Sequence, residues 1–200
     1  ASILLLSVAF YILMPTLPIY VIDQLGADNS QLGLVIAVYT LAALLVRPFS
    51  GIALDLFGRR GILMVSVLLF TIFFLGYKYA LVFGALLAVR FLHGLQWGVA
   101  TSAYFTAAVD VMPQSKRGRG IGYFGLAFNI AMATGPALGL FIMGDGRFDL
   151  LFYSGALLAA LGGILLFFTR FPKFQRPANL KFTWKGMLAK KTLPITLNVL

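Results

Sequence analysis

The chain has 200 residues, of which 60% are hydrophobic and 11% are charged, whereas about 25% of the residues of a soluble domain are charged. This composition excludes an ordinary soluble protein and indicates an integral membrane protein. The formal net charge is +10, but the basic residues lie in short loops between apolar runs, so the charge indicates membrane topology rather than nucleic-acid binding.

The residue types exclude several kinds of site. The chain has no cysteine, so a disulfide, a zinc–thiolate site and a thiol nucleophile are all excluded. It has one histidine, and its six acidic residues are all aspartates. These residues leave little for metal or general-base chemistry. We therefore expect no metal site, no cofactor and no enzyme activity.

Six apolar runs are each long enough to cross a bilayer, which takes about 20 residues of helix. We predict spans at residues 3–22, 32–54, 61–77, 81–109, 121–143 and 150–168. Residues 1–169 would then form a six-helix bundle. Residues 170–191 would form a polar cytoplasmic linker, and residues 192–200 would begin a seventh span. This organisation predicts slightly more than half of a longer protein.

The distribution of basic residues predicts the orientation of the spans. Clusters of arginine and lysine follow the second, fourth and sixth spans, whereas only Lys78 and Arg147 lie on the other side. Because cytoplasmic loops carry the excess of basic residues, the spans should alternate with both ends of the full protein inside. We expect a multi-pass protein of the cell (inner or plasma) membrane.

The first span contains Pro15 and Pro18, three residues apart. Each proline removes a backbone hydrogen bond, so we expect the outer half of this helix to be loosened. Tyr11 and Met14 lie nearby and are expected either to line a pocket or to pack inside the bundle.

The second span carries Arg47, followed directly by Pro48, about two turns before its inner end. The arginine head can reach the inner interface along its own stem, or it can face a cavity. Both interpretations stay open. Pro48 is expected to kink the helix.

The residues between the second and third spans carry the most informative motif. Residues 51–60 read Gly-Ile-Ala-Leu-Asp-Leu-Phe-Gly-Arg-Arg, and about six of them would have to reverse the chain. Gly58 permits a tight turn. The run resembles the signature between helices two and three of the major facilitator superfamily, Gly-x-Leu-Ala-Asp-Arg-x-Gly-Arg-Lys. Ala53 and Leu54 stand for Leu-Ala, and Leu56 replaces the first arginine.

The resemblance implies a conformational latch. In the superfamily the aspartate of this motif meets the amino-terminal end of a helix in the other half, and the arginine four residues on pairs with an acid at the end of helix four. Here these would be Asp55, Arg59 and Asp110. A solvated loop carboxylate is the alternative for Asp55. The full set of latch residues is Gly51, Asp55, Gly58, Arg59, Arg60 and Asp110.

The fourth span contains Arg90, about nine residues from its predicted start and so on the order of 13 Å inside the span. An unpaired arginine at that depth costs at least about 2.5–3.5 kcal/mol, so we expect it to face a polar cavity or a partner. The run resembles the superfamily pattern Arg-x-x-Gln-Gly, with His93 at the glutamine position. The resemblance implies a role on the proton and substrate path, and a structural ion pair is the alternative.

His93, the only histidine, is expected to be a hydrogen-bonded packing residue more often than a proton carrier. Gln96 and Trp97 would offer a substrate an amide and a stacking face, although a tryptophan near a membrane boundary needs no such purpose. The candidate residues of the proton and substrate path are Arg90, His93, Gln96, Asn129, Tyr11 and Arg47.

The fifth span carries a series of small residues that lets another helix approach closely. The series is Gly122, Ala131, Gly135, Pro136 and Gly139. It resembles the helix-five antiporter motif of the exporter branches, Gly-x8-Gly-x3-Gly-Pro-x2-Gly, with alanine for one glycine. A glycine-rich membrane helix with no such role is the alternative. Asn129 is expected to point into the bundle.

Together, the residues and the resemblance predict an all-α membrane protein: the amino-terminal six-helix bundle of a twelve-helix major facilitator fold, with inverted three-helix repeats. The implied function is proton-coupled efflux of a small molecule or drug by alternating access, with the proton gradient as energy source. The expected partners are a small-molecule substrate and the lipid bilayer, not nucleic acid, and we expect a monomer.

Some alternatives stay open. A sugar or nutrient importer or uniporter of the same superfamily is possible, although the helix-five pattern argues against it. Short loops argue against a channel, because they offer no re-entrant filter. No acid lies deep in a span to carry the proton, and sodium coupling is not excluded.

Overall fold

The computed structural model describes residues 1–171, which form six long helices. They are α1 (Ser2–Leu25), α2 (Asn29–Phe57), α3 (Arg59–Tyr79), α4 (Phe83–Val111), α5 (Arg117–Met143) and α6 (Phe148–Phe167), with a short 3-10 turn at Gln114–Lys116 before α5. Each predicted span coincides with one of these helices. The linker beyond residue 171 and the start of a seventh span at 192–200 lie outside the described residues.

Five of the six helices are long and apolar enough to cross a membrane by composition. The exception is α4, which has 29 residues but carries Arg90, His93 and Gln96 in its middle. All three side chains are buried. A helix with such residues is stable in a bilayer only if neighbouring helices surround its polar positions.

The helices pack as an inverted repeat. The main pairs are α1 with α5, α2 with α4, and α3 with α6, followed by α3 with α4 and α1 with α6. Exchanging α1 for α4, α2 for α5 and α3 for α6 reproduces the same set of pairs. Because each unit has three helices, the second unit starts at the opposite end of the bundle. The predicted inverted three-helix repeat is therefore present in the packing.

Glycines permit close helix crossings between α1 and α5 and between α2 and α4. A methyl group at Gly139 of α5 would collide with the backbone carbonyl of Ile12 on α1. At the equivalent crossing, a methyl group at Gly98 of α4 would collide with the carbonyl of Ala43 on α2. Gly94, one turn before Gly98, meets α2 in the same way. Backbones can approach this closely only where side chains are absent.

The small residues predicted on the fifth span divide into two groups. Ala131, Gly135 and Gly139 are buried on the side of α5 that packs against α1. Gly122 is exposed, and an added methyl group would have open space around it. Within residues 1–171 the first glycine of the motif therefore makes no close approach. Pro136 lies inside α5 between the two packing glycines.

The turn between α2 and α3 is shorter than predicted. The helices end at Phe57 and begin at Arg59, so Gly58 alone connects them instead of about six residues. Gly58 has φ of 77°, a conformation that a side chain would strain. Its N–H donates to the Leu54 carbonyl at 3.0 Å. Asp55 and Arg59, on either side of the turn, lie 3.5 Å apart.

The turn between α1 and α2 is also closely defined. Gly26 ends α1 in the left-handed conformation, with φ of 61°. Asp28 caps α2: its carboxylate accepts the Gln31 N–H at 2.8 Å, and the Gln31 side chain accepts the Asp28 N–H at 3.0 Å. This capping box fixes where α2 starts relative to α1.

We expect Gly139→Ala to lower the stability of the protein by about 1–3 kcal/mol, because the added methyl group forces α1 and α5 apart. The matched control is Gly76→Ala on α3, where the methyl group would lie 3.8 Å from Val89, an ordinary contact. Thermal unfolding in detergent micelles measures both. Equal midpoints for the two variants would contradict the close α1–α5 crossing.

Candidate functional site

A cavity of about 280 Å³ lies between α1 and α2, with Arg90 of α4 in its wall. Apart from Arg90, its lining is almost entirely apolar or aromatic. The lining residues are Phe10, Leu13, Met14, Leu17, Pro18, Leu32, Val35, Ile36, Tyr39, Thr40 and Arg90. The only aliphatic hydroxyl among them, on Thr40, already donates to the Ile36 carbonyl at 3.0 Å. The cavity therefore presents one cation in apolar surroundings.

Arg90 is 7% exposed, and its contacts within residues 1–171 are weak. Nε donates to the Val35 carbonyl at 3.5 Å, and Nη1 donates to the Tyr77 hydroxyl at 3.3 Å. The guanidinium carbon lies 4.3 Å from the centre of the Tyr39 ring. None of the three ion pairs in the described part of the chain includes Arg90. Its charge is met by an aromatic face but not by a carboxylate of residues 1–171.

The Tyr77 hydroxyl connects Arg90 to His93. It lies 2.8 Å from His93 Nδ1 and accepts from Arg90 Nη1. Arginine can only donate, so the tyrosine hydrogen is free to donate to Nδ1. This assignment places the imidazole hydrogen on Nε2, which has no hydrogen-bond partner within residues 1–171. The three side chains form one buried polar chain from the cavity into the bundle.

Aromatic rings surround His93, which is fully buried. Its ring centre lies 4.7–5.8 Å from those of Tyr39, Phe70, Phe73, Phe74 and Tyr77. His93 is not among the residues that line the cavity. His93 is connected to the cavity through two tyrosines. Its ring contacts Tyr39, which lines the cavity. It also contacts the Tyr77 hydroxyl, which is hydrogen-bonded to Arg90.

Gln96 and Trp97 lie behind the cavity wall. Gln96 Nε2 donates to the Ser66 carbonyl at 2.9 Å, so this amide joins α4 to α3. Trp97 stacks on Phe10, with ring centres 4.6 Å apart and planes inclined by 13°. Neither residue lines the cavity. Trp97 instead supports one of the rings that do.

Three other candidate residues lie away from the cavity. Tyr11 packs its backbone and Cβ against Gly135 in the α1–α5 crossing. Arg47 is exposed on α2. The expectation that Asn129 points into the six-helix bundle is wrong, because its side chain is exposed. It lies two residues from the inward-facing Ala131, which corresponds to about 200° around the helix.

Sequence reasoning missed Tyr39, Tyr77 and Phe10, which hold or flank Arg90. The chain has 8 tyrosines and 19 phenylalanines, and nothing in their spacing distinguishes these three. Gly94 and Gly98 were missed as well. Their four-residue spacing is a packing signal that the sequence does contain.

A second polar cluster lies at the end of the bundle where α2 turns into α3. Arg59 Nε donates to Asp110 Oδ2 at 2.9 Å, and its Nη1 lies 3.5 Å from Asp55 Oδ1. The arginine thus connects the ends of α2 and α4. All three side chains are partly exposed, between 29% and 46%. Such exposed ion pairs contribute little stability individually.

The rest of the predicted latch motif is less constrained. Arg60 Nη2 donates to the Phe167 carbonyl at 3.1 Å, which ties α3 to α6. Gly51 is exposed with open space around it, so no helix within residues 1–171 requires a glycine there. At the opposite end of the bundle, Lys78 forms an ion pair with Asp149 at 3.0 Å.

A family profile and individual relatives both match this chain, and they indicate the same family. The sequence profile of the Major Facilitator Superfamily matches residues 1–198. The quinolone resistance protein NorA of Staphylococcus aureus (strain MSSA476) is 25% identical over 207 aligned residues, covering 99% of this chain and 53% of NorA. The uncharacterised MFS-type transporter YhcA of Bacillus subtilis is 25% identical over 84% of this chain and 32% of its own length. The chain thus spans about half the length of NorA.

Solved structures share the fold. The human organic anion transporter MFSD10 (TETRAN) superposes with a TM-score of 0.75 at 21% identity, over 94% of this chain and 50% of that protein. A D-xylose–proton symporter superposes with a TM-score of 0.72 at 18% identity, over 98% of this chain and 50% of the symporter. Transporters of different substrates thus share this arrangement of helices, and the superpositions establish the fold alone.

We expect Tyr77→Phe to destabilise the protein by about 1–3 kcal/mol, because it leaves His93 Nδ1 and an Arg90 N–H without their buried partner. Tyr79→Phe is the matched control on the same helix, since Tyr79 is 73% exposed. Thermal unfolding of both variants in detergent provides the measurement. A control that falls as far as Tyr77→Phe would argue against the Arg90–Tyr77–His93 chain.

Proposed function

The chain belongs to the major facilitator superfamily, and from this premise we propose that it forms the first of two six-helix bundles of a transporter that exports a small molecule in exchange for protons. The family consists of membrane transporters, so the chain is part of a multi-pass membrane protein and not of an enzyme. Direction, coupling ion and substrate are the content of the proposal.

The observation that carries the proposal is the chemistry of the Arg90 cavity. A sugar needs several hydrogen-bonding side chains, because each buried hydroxyl without a partner costs about 1–3 kcal/mol. The cavity offers the Arg90 guanidinium and the Thr40 hydroxyl, which can only accept because its hydrogen is donated to Ile36, while the Tyr39 hydroxyl is fully buried. An amphipathic molecule with an extensive apolar surface suits this lining better than a sugar does. This favours the exporter over the nutrient importer.

One relative supports the same choice. NorA aligns with nearly the whole chain, and its name describes resistance to quinolones. Quinolones are aromatic compounds of the amphipathic kind that an apolar cavity with one cation would accept. Gly135 and Gly139 of α5 lie at its close crossing with α1. Both belong to the series that resembles the helix-five motif of the exporter branches, and this position supports the choice of an exporter.

Proton coupling requires a group from the second bundle. All six aspartates of the chain lie at helix ends or in turns, where water can hold them charged. The titratable groups near the middle of α4 are Arg90 and His93, and His93 is enclosed by rings. We propose that the proton-carrying carboxylate belongs to the second bundle.

Alternating access requires a contact that opens and closes at one end. The proposed latch is the Arg59 cluster, which connects α2 and α4 while Asp55 remains 46% exposed. An exposed carboxylate at a bundle end can meet a helix amino terminus of the second bundle, an interaction of order 0.3–1 kcal/mol. We propose that this end faces the cytoplasm, in the cell membrane, and that the transporter acts as a monomer.

The direct test uses the full-length transporter in liposomes and a fluorescent quinolone as the transported probe. We expect an inside-acid pH gradient to drive uptake of the probe, because protons leave as the probe enters. An ionophore that collapses the gradient should abolish uptake, and protein-free liposomes correct for passive entry. Uptake driven instead by an outside-acid gradient would indicate symport, and the proposed function would be wrong.

We expect Asp55→Asn to lower this uptake roughly two- to fivefold, which corresponds to about 0.4–1 kcal/mol of lost stabilisation in the transport cycle. The variant should still insert and purify normally, since Asp55 contributes only an exposed ion pair. Asp23→Asn makes the same change at an exposed position near the end of α1 and should transport normally. Wild-type uptake by Asp55→Asn would remove the latch from the mechanism.

A further inference from the structure

We propose that the Arg90 cavity is a binding site for organic anions, in which the carboxylate or sulfonate of an aromatic ligand lies against the guanidinium. The inference rests on the proposed function, because it names the chemical class of the substrate that the cavity selects. Three features of the site carry it: the unused donors of Arg90, the orientation imposed on its guanidinium, and the aromatic wall beside it.

The first feature is the number of unused donors. A guanidinium has five N–H groups. Only Nε and Nη1 of Arg90 have partners within residues 1–171, at 3.5 Å and 3.3 Å, which are long for hydrogen bonds to a charged donor. Arg90 lines the cavity, and Nη2 is not among the fully buried atoms that lack a partner. Nη2 therefore keeps some exposed surface from which it can donate to a ligand.

The second feature is the orientation of the guanidinium. The guanidinium carbon lies over the Tyr39 ring, 4.3 Å from the ring centre, so a ligand does not reach the group from that side. The Tyr77 hydroxyl, held by His93, fixes the Nη1 side. A carboxylate can then reach the Nη2 edge of the guanidinium, to which no protein group within residues 1–171 is hydrogen-bonded. Edge-on approach is the geometry in which arginine binds a carboxylate through two parallel hydrogen bonds.

The third feature is the aromatic wall. Phe10 lies between Tyr39 and Trp97, with ring-centre distances of 5.7 Å and 4.6 Å and plane angles of 25° and 13°. Three rings thus form a nearly parallel stack whose Phe10 and Tyr39 members line the cavity. Because neighbouring rings cover both faces of Phe10, an aromatic ligand would meet the ring edges, where edge-to-face contacts add to the burial of apolar area.

The opposite possibility is that a carboxylate of the second bundle neutralises Arg90. The aspartates of this chain do not do so, since those in ion pairs contact Arg59 and Lys78. A neutralised arginine would leave a cavity that prefers neutral or cationic ligands. The charge preference of the site therefore distinguishes the two arrangements.

The experiment compares three ligands of one shape: 2-naphthoate, its neutral amide 2-naphthamide, and the cation 2-naphthylmethylammonium. Equilibrium dialysis with the full-length transporter in detergent measures their dissociation constants. We expect the wild-type protein to bind 2-naphthoate roughly tenfold or more tightly than either of the other two. Arg90→Gln should abolish the preference, so that 2-naphthoate binds no more tightly than the amide does to the same variant.

Two variants refine the test. Arg90→Lys keeps the charge but not the planar fork, so its preference for 2-naphthoate should be intermediate. Lys116→Gln removes one positive charge from an exposed residue far from α4's middle and should retain the wild-type preference. Equal loss in Lys116→Gln would assign the preference to net charge and overturn the site.

The wild-type ranking decides the inference even if Arg90→Gln does not fold. Equal or weaker binding of 2-naphthoate relative to the amide or the cation would overturn the anion site. Its failure is distinct from failure of the proposed function. If the transporter exports neutral or cationic compounds in exchange for protons and shows no preference for anions, the proposed function stands and the anion site is wrong. If anions bind in an Arg90-dependent way but no pH gradient drives transport, the anion site stands and the proposed function is wrong.

Discussion

The arrangement of this bundle depends on the need to keep the polar side chains of α4 out of the hydrocarbon. Arg90, His93 and Gln96 follow one another at helical spacing, and each is buried. Their partners come from the two neighbouring helices: Tyr39 and Val35 from α2, Tyr77 and Ser66 from α3. Because a buried donor without a partner is costly in an apolar medium, α4 must be enclosed by α2 and α3, and these contacts set its position.

The same packing creates the cavity. Glycines bring α1 against α5 and α2 against α4 at very short distances, while α1 and α2 make only slight contact with each other. The first two helices are therefore drawn apart toward opposite partners. The space left between them reaches Arg90, and the rings of Phe10 and Tyr39 form its walls. The cavity that we propose as the ligand site thus follows from the inverted repeat itself.

The sequence predicted much of this arrangement because spans, loop charges and Arg90 have strong physical signatures. A run of about 20 apolar residues has few alternatives to a membrane helix, and an arginine within it must be enclosed. The surroundings of Arg90 were not predictable, because Tyr39 and Tyr77 are chosen by packing from many similar aromatic residues. The expectation for Asn129 was wrong for a different reason. The angular position of a residue on α5, and not its polarity, decides whether it faces α1. The length of the α2–α3 turn was overestimated because polar residues at helix ends still belong to the helices.

The central claim is that the cavity beside Arg90 is a water-accessible binding space rather than a packing defect. The most direct measurement is the reactivity of single cysteines in a cysteine-free background toward a membrane-impermeant thiol reagent. Met14 lines the cavity and is 54% exposed, whereas Leu68 is 60% exposed on α3 outside it. The account predicts rapid modification of Met14→Cys, slowed by a bound ligand, and little modification of Leu68→Cys, which would face lipid or packed protein. An unreactive Met14→Cys, or equal rates at the two positions, would contradict it.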